Sequence, residues 1–255
     1  MVNNYFDLLG EFVKGDFKNR YKNSILGFLW MLLKPLAEFF IMYFVWNALW
    51  RTENQTTLFL LSGVIFWNYF NDGIMLGFQS LLNKSGIILQ INFPREVVIF
   101  SATTVALINF VVTLVIILVF AMYTHTTFTW AGIGLAAFSL ITLNILIITA
   151  SFFLSIWGVI VKDVRHLVEL GLRIGFWATP VMYDASLLSP RVQKVIKLNP
   201  LSYLLEGFRT GLIRGHEVTG ADYLEILKLL GIILIFTVIG FLYFKKSVKR
   251  VAEFF

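Results

Sequence analysis

Cysteine is absent from the 255 residues. That excludes a disulfide scaffold, thiol catalysis and any zinc or iron–sulfur site built on thiolates. Charge is scarce as well. Asp, Glu, Lys and Arg make up 14% of the chain, against about 25% in an ordinary soluble domain. No G-x-x-x-x-G-K-[ST] phosphate loop occurs, no H-E-x-x-H, and no acidic cluster of the kind that holds magnesium against a diphosphate. A chain without that loop does not hydrolyse ATP by that route, so any energy from nucleotide must come from a partner. No spacing supports a Ser-His-Asp arrangement, and His125, His166 and His216 fall in stretches that read as solvated turns. No basic run is interleaved with stacking aromatics, so the net charge of +6 does not point to nucleic acid. In an apolar chain such residues set topology and meet anionic membrane lipid.

What the sequence has in quantity is apolar surface: 58% hydrophobic residues, among them 26 Phe, 9 Tyr and 7 Trp, with a mean hydropathy of +0.79. A soluble core of this length cannot hide so much, and the fold expected is an all-α, polytopic membrane protein forming a single transmembrane domain over residues 1–255. A hydrocarbon layer of about 30 Å takes about 20 helical residues at a rise of 1.5 Å each. Six stretches meet or approach that length: 29–50, 58–82, 97–123, 131–161, a shorter one at 167–183, and 223–244. Thr124 to Thr129 is the polar turn dividing a run otherwise too long for one crossing. Ahead of these spans, residues 1–28 read as an interfacial helix, not a signal peptide. Tyr5, Phe6, Leu8, Leu9, Phe12 and Val13 fall on one half of the wheel, opposite Asp7, Glu11 and Lys14.

Six crossings put both termini on one side. Thirteen of the 21 Lys and Arg residues fall in the segments of that side, including the tail 245–255, whereas the short turns opposite hold only Arg51. The positive-inside rule makes that side cytoplasmic. Segment 184–222 carries five more basic residues, Arg209 among them, and is broken by Pro190, Asn199, Pro200, Gly211 and Gly215. It reads as folded but not spanning, with Leu201, Leu204, Leu205, Phe208 and Leu212 at helical spacing, either as re-entrant helices or as a cap. Trp30, Trp46, Trp50, Trp67 and Trp130 lie near span ends, as in an aromatic belt.

Ionisable residues within spans are expensive and face a bundle interior or one another. Glu38 and Glu169 lie near span beginnings and read as structural. Arg173 suits a diphosphate headgroup, or a pair with Glu169 one turn earlier. Asp72 lies in mid-span with no partner identifiable from sequence. Gly73 and Gly77, Gly171 and Gly175, and Gly211 and Gly215 are spaced for close helix contact, a pattern that 18 glycines also produce by chance.

The stretch Arg20-Tyr21-Lys22-x-Ser24-x-Leu26-Gly27-x-Leu29-Trp30, followed by Leu33 and Pro35, resembles the start of the first span in polysaccharide-exporting ABC transporter permeases. The likeness continues through Phe93-Pro94, Lys162-Asp163-Val164, Thr179-Pro180-Val181-Met182-Tyr183, Asn199-Pro200-Leu201 and Arg209, covering essentially the whole chain. Lys162 departs from it, the family usually carrying Arg before the Asp. The resemblance implies a membrane subunit of an O-antigen, capsule or teichoic acid exporter, located in the cytoplasmic (inner) membrane. It would work as a homodimer with two copies of a P-loop ATP-binding subunit, on a glycan linked to a polyprenyl diphosphate. The chain itself would be a transport subunit binding no cofactor, with ATP and Mg held by the partner.

The resemblance also assigns residues. The interfacial helix and the cytoplasmic loop 83–96 would meet the ATPase, with Lys84, Ile87, Ile88, Phe93, Pro94, Arg95 and Glu96 in the coupling segment. Ile87 to Phe93 is an apolar stretch too short to span, fit for a groove on a partner or for the membrane surface. Segment 184–222 would form short external gate helices, and the path would run between subunits, lined by spans one and five. Tyr43, Trp46, Trp50, Phe176, Trp177 and Tyr183 would offer flat faces to moving sugars, or pack against lipid, and Arg173 would meet the lipid diphosphate. By their residues alone, two other classes remain: a membrane-embedded glycosyl- or phosphotransferase acting on polyprenyl-linked sugars, disfavoured by the missing acidic cluster, and a passive channel or scaffold.

Overall fold

The computed structural model describes residues 5–22, 26–50 and 55–251, with the side chains of residues 21, 46–50, 55, 56 and 251 outside the description. The described residues contain helices and connecting turns and no strand. In order they are α1 (Tyr5–Tyr21), α2 (Leu29–Trp50), α3 (Gln55–Asn83), α4 (Ser85–Gln90), α5 (Glu96–Tyr123), α6 (Trp130–Ile160), α7 (Val164–Ala178), α8 (Pro190–Ile196), α9 (Pro200–Ile213) and α10 (Gly220–Val251). Single 3-10 turns, Ala185–Leu187 and Gly215–Glu217, flank the α8–α9 pair.

Helices α5, α6 and α10 are each long and apolar enough to cross a membrane. Helices α2 and α3 have 22 and 29 residues, or about 33 and 43 Å of rise. Helix α7, at 15 residues, rises only about 22 Å. The expected span at 167–183 is therefore a shorter helix that starts earlier and stops at Ala178. Pro180 is the cause: it pushes Thr179 into extended backbone (φ −104°, ψ 137°) and ends the helix. His166, expected in a turn, lies in the first turn of α7, while His125 occupies a turn with φ 52°.

Helix α6 is the axis of the bundle, packed against α10, α3 and α9, while α3 also packs on α5 and α1 lies along α5. Glycines permit the closest approaches. A side chain at Gly77 of α3 would run into Ser151 of α6, and one at Gly211 of α9 into the Gly132 backbone of α6. Of the three spaced glycine pairs, Gly73 with Gly77 and Gly211 with Gly215 both lie against α6 or its capping residue, whereas a side chain at Gly171 would meet open space. The main core, with Phe39, Leu61, Phe66, Phe110, Leu143 and Phe208, fills the space among α2, α3, α5, α6 and α9. A second cluster, including Leu81, Ile88, Val98, Phe152 and Phe244, closes the end where α3, α6 and α10 finish and α5 begins. Trp67, expected in an interfacial belt, is instead buried against Phe70 and Phe176, while Trp130 is 90% exposed.

The bundle thus has two distinct ends. At one, Arg95 donates to the Val248 carbonyl (2.5 Å), Glu96 faces Lys245 (3.7 Å), and α1 reaches the junction of α3 and α4 at Lys84. At the other, the turn after α5 meets the segment after α9: Thr129 caps α6 and donates to the Gly215 carbonyl (2.9 Å), and Thr127 shares a hydrogen bond with His216 (3.0 Å).

Candidate functional site

The turn between α3 and α5 presents an apolar surface. Ile88 is buried beneath α4, and Ile87, Leu89 and Ile91 are exposed, the last at 61%. The charged residues of the segment point elsewhere. Lys84 is buried, with its ammonium 2.7 Å from Asp16 Oδ1 and 4.3 Å from the centre of the Phe12 ring. Arg95 and Glu96 are turned toward α10 by the contacts already given. The Phe93 ring meets Phe12 edge-on at 5.3 Å, and Pro94 is exposed. Asp16 also accepts from the Ser101 hydroxyl (3.1 Å), so one carboxylate of α1 fastens the end of α3 and the start of α5. Sequence reading missed Asp16, which differs in no local way from the other acidic residues of α1.

A second carboxylate, Asp72 in the middle of α3, receives Arg20 from α1 at 2.9 Å. Lys84, the residue just after α3, lies 12 positions beyond Asp72, about 18 Å at helical rise, a distance shared out among the helical turn from Asp16 to Arg20 and the long basic side chains. Helix α1 is therefore pinned at two heights on α3. The Arg20–Asp72 pair lies on the wall of a cavity of about 800 Å³ between α2, α3 and α5, together with Lys34, Glu38, Asn68 and Tyr69. Asn68 donates to Glu38 (2.6 Å), Tyr69 accepts from Asn144 (2.8 Å), and Lys34 makes no ion pair among the described residues.

On the other flank of α3, a groove of about 490 Å³ separates it from α7 and is lined by Trp67, Asn71, Glu169, Arg173, Phe176 and Trp177. Glu169 pairs with Arg165 (3.0 Å), one turn before it, and not with Arg173. Arg173 is exposed and has no ion-pair partner among the described residues. Phe176 sets its ring edge-on to Trp67 at 5.6 Å and to Trp177 at 5.4 Å, and the Tyr183 hydroxyl donates to the Trp177 carbonyl (2.9 Å). Three of the expected path aromatics, Phe176, Trp177 and Tyr183, are thus gathered at one end of α7. Tyr43 sits apart on α2, half-buried beside Phe39, and the Trp46 and Trp50 side chains lie outside the described residues. Helix α7 has no buried residue; Leu167, Leu170, Ile174 and Trp177 are all exposed.

Beyond α7, Arg209 of α9 is 1% exposed. Its guanidinium donates to the carbonyls of Pro180 and Val181 at 2.5 Å and of Phe59 at 3.1 Å, and lies 3.7 Å over the Phe59 ring. Counted as an external charge in the sequence, it is instead the keystone between the end of α7, the start of α3 and α9. Asn199 adds a second tie, capping α9 with its oxygen (3.0 Å) and donating to Thr179 (2.8 Å).

The family model described as ABC-2 type transporter matches residues 8–213. An O-antigen export system permease protein RfbA of Klebsiella pneumoniae is 30% identical over 253 residues, covering 97% of this chain and 95% of that relative. The protein of the same name from Myxococcus xanthus is 26% identical over 234 residues, covering 91% and 89%. An integral membrane chain with exposed apolar helices, matched over most of its length, belongs to the ABC-2 type transporter family.

Proposed function

We propose that this chain is the permease subunit of an ATP-driven exporter that moves a lipid-linked polysaccharide, an O-antigen or similar polyprenyl-diphosphate-linked glycan, across the cytoplasmic membrane. The observation that carries the reading is the near full-length similarity to relatives named as O-antigen export permeases. The geometry supplies a route for coupling. On this reading α2, α3, α5, α6, α7 and α10 are the six membrane passages, with the turn after α7 completing the short fifth, and both termini are cytoplasmic. Helices α8 and α9 form the external gate. ATP and its Mg belong to a separate P-loop subunit, two copies serving two copies of this chain.

The exposed face of Ile87, Leu89 and Ile91 suits a groove on that subunit, because an apolar ridge too short to span gains by covering itself on a partner. Closure of the ATPases pushes α4. The Lys84–Asp16 pair passes the movement to α1, and the Arg20–Asp72 pair passes it from α1 to mid-α3, beside α2 on one flank and α7 on the other. The unpartnered apolar flanks of α2 and α7 are where two copies of the chain meet and part. Arg173, unpaired in its groove, meets the diphosphate, and Phe176, Trp177 and Tyr183 give sugar rings weak, repeated contacts that do not arrest a moving polymer.

The test is affinity purification of the chain from its membrane in mild detergent, with native mass spectrometry. Recovery of a P-loop ATPase at two copies per two chains, lost when Ile87, Leu89 and Ile91 are all replaced by Ser, supports the reading. A chain recovered alone and carrying transferase activity overturns it.

A further inference from the structure

Helix α9 has two faces. Leu201, Leu204, Leu205 and Phe208 are buried in the core, whereas Ser202, Glu206 and Thr210 follow one another at four-residue spacing down the other side. That polar stripe faces Asp222 and Glu225 in the first turns of α10 and, with Gln193 and Lys197 of α8, encloses a cavity of about 370 Å³. The volume lies in the range of small-ligand pockets, roughly 300–1,000 Å³.

Two features distinguish this cavity from a merely solvated helix face. First, the Ser202 hydroxyl is buried and has no hydrogen-bond partner among the described residues. Other buried helical serines turn back onto the preceding turn, as Ser139 does to Leu135 and Ser151 to Ile147; Ser155 of α6 is also unpaired among the described residues, but it lines none of the cavities described above. A hydroxyl withdrawn from water and left unpaired is destabilising until something supplies its partner. Second, the walls carry four carboxylates, Asp184, Glu206, Asp222 and Glu225, against two cations, Lys197 and Arg214, and Arg214 is already paired with Glu206. Glu225 has no partner among the described residues. Asp222 uses Oδ2 for Thr219 and leaves Oδ1 free, and Gln193 commits its amide nitrogen to the carbonyls of Ser186 and Leu188, leaving its oxygen. That excess of carboxylates repels phosphate and accepts from hydroxyl groups, which favours a donor-rich neutral occupant over the lipid diphosphate.

We propose that this cavity is a saccharide subsite, holding a neutral pyranose of the glycan where it emerges between α8, α9 and α10. The proposal rests on the export reading above and names a place where the sugar itself, not its lipid carrier, is recognised. The Ser202 hydroxyl meets a ring hydroxyl at the floor, Glu225 and Asp222 accept from others at the rim, and the Tyr203 ring, also on the wall, offers a flat apolar face to the C–H side of the sugar.

The experiment is saturation-transfer NMR on the full chain purified in a detergent without a sugar headgroup, lauryldimethylamine oxide, with the methyl glycosides of mannose, galactose, rhamnose and N-acetylglucosamine as probes. Transfer to at least one glycoside is expected, weakened by about tenfold in Ser202→Val and in Glu225→Gln. Glu225 is exposed, so its variant folds even if a change at Ser202 disturbs packing. No transfer to any of the four, or transfer equal to wild type in both variants, overturns the subsite. Depletion of the chain in its own cells separates the two readings. Surface glycan unchanged by depletion defeats the export reading whatever the cavity binds, and normal export with no transfer defeats the subsite alone.

Discussion

The two ends of the bundle are both closed by short helices, and they are fastened by different chemistry. Toward the α1–α4 end the fasteners are mostly side-chain ion pairs, Lys84 with Asp16 and Lys245 with Glu96, continued to mid-α3 by Arg20 with Asp72, beside one main-chain tie from Arg95 to the Val248 carbonyl; the Asp16 and Asp72 side chains are 28% and 31% exposed. At the α8–α9 end they are main-chain groups. Arg209 holds three carbonyls, Thr129 holds a fourth, and α9 lies on α6 so closely that glycine faces glycine. Ion pairs between flexible side chains tolerate sliding, because a long basic side chain keeps contact over several ångströms. Carbonyls fixed in the backbone and glycines in van der Waals contact do not. On the export reading proposed above, the first end is then the one that moves when a partner pushes, and the second is the frame for the proposed gate.

Removing the keystone tests that difference most severely. Arg209→Met keeps volume but leaves the carbonyls of Pro180, Val181 and Phe59 buried without a donor, so a loss of about 3–5 kcal/mol is expected. Arg209→Lys, which keeps the charge but cannot span three acceptors in one plane, should fall between. Tryptophan fluorescence during SDS titration of the chain in dodecyl maltoside measures both. A loss in Arg209→Met no greater than that of an exposed control would dissolve the contrast between the ends.

A smaller effect is expected at the glycine seam. A Cβ at Gly211 would sit 2.7 Å from the Ala136 backbone nitrogen and closer still to the Gly132 carbonyl, and backbone cannot swing aside as a side-chain tip can. Gly211→Val should therefore cost about 1–3 kcal/mol by the same titration. Gly171→Ala, at a position with nothing within 4 Å, should cost nothing and gain up to about 1 kcal/mol from helix propensity.

Much of this architecture is legible in the sequence, and the rest is not for a definable reason. Apolar runs and turn residues are local signals, so the stretch 29–50, the polar turn at Thr124 to Thr129 and the broken segment after α7 correspond to an observed helix, turn and pair of short helices. The halt of α7 at Ala178 was within reach, since Pro180 is in plain view, but the hydrophobicity of Val181 and Met182 carries a composition-based span past it. Pairing across the chain is not local. Arg20 and Asp72 are 52 residues apart, and Arg209 and Phe59 are 150 apart. Nothing around Arg209 separates a buried guanidinium from the solvated Arg191 or Lys194. Charge counting assigns all three to the outside, and only the folded chain shows that one of them is surrounded by carbonyls. The resemblance to polysaccharide-exporting permeases picks out Arg209 and Asn199 as characters in a pattern without saying that both tie α9 to the end of α7.

The ion-paired end should give the mildest response and the sharpest test of coupling. Asp16→Asn leaves the Lys84 ammonium, whose side chain is 10% exposed, with a weaker partner, and should cost about 1–2 kcal/mol, between the values for exposed and buried pairs. Lys84→Met alone strands the Asp16 carboxylate less severely, because that side chain is 28% exposed and retains Ser101. In the double variant most of the lost stability should return, since no unpaired charge remains and Met packs against the Phe12 ring that the lysine now covers. Transport should not return with it. If the pair transmits the push of the ATPase, the double variant is stable, assembles with its partner and hydrolyses ATP, yet exports less glycan per ATP than wild type. Equal export per ATP in the double variant would show that the pair only fastens α1, and that the movement of the first end reaches α3 by another route.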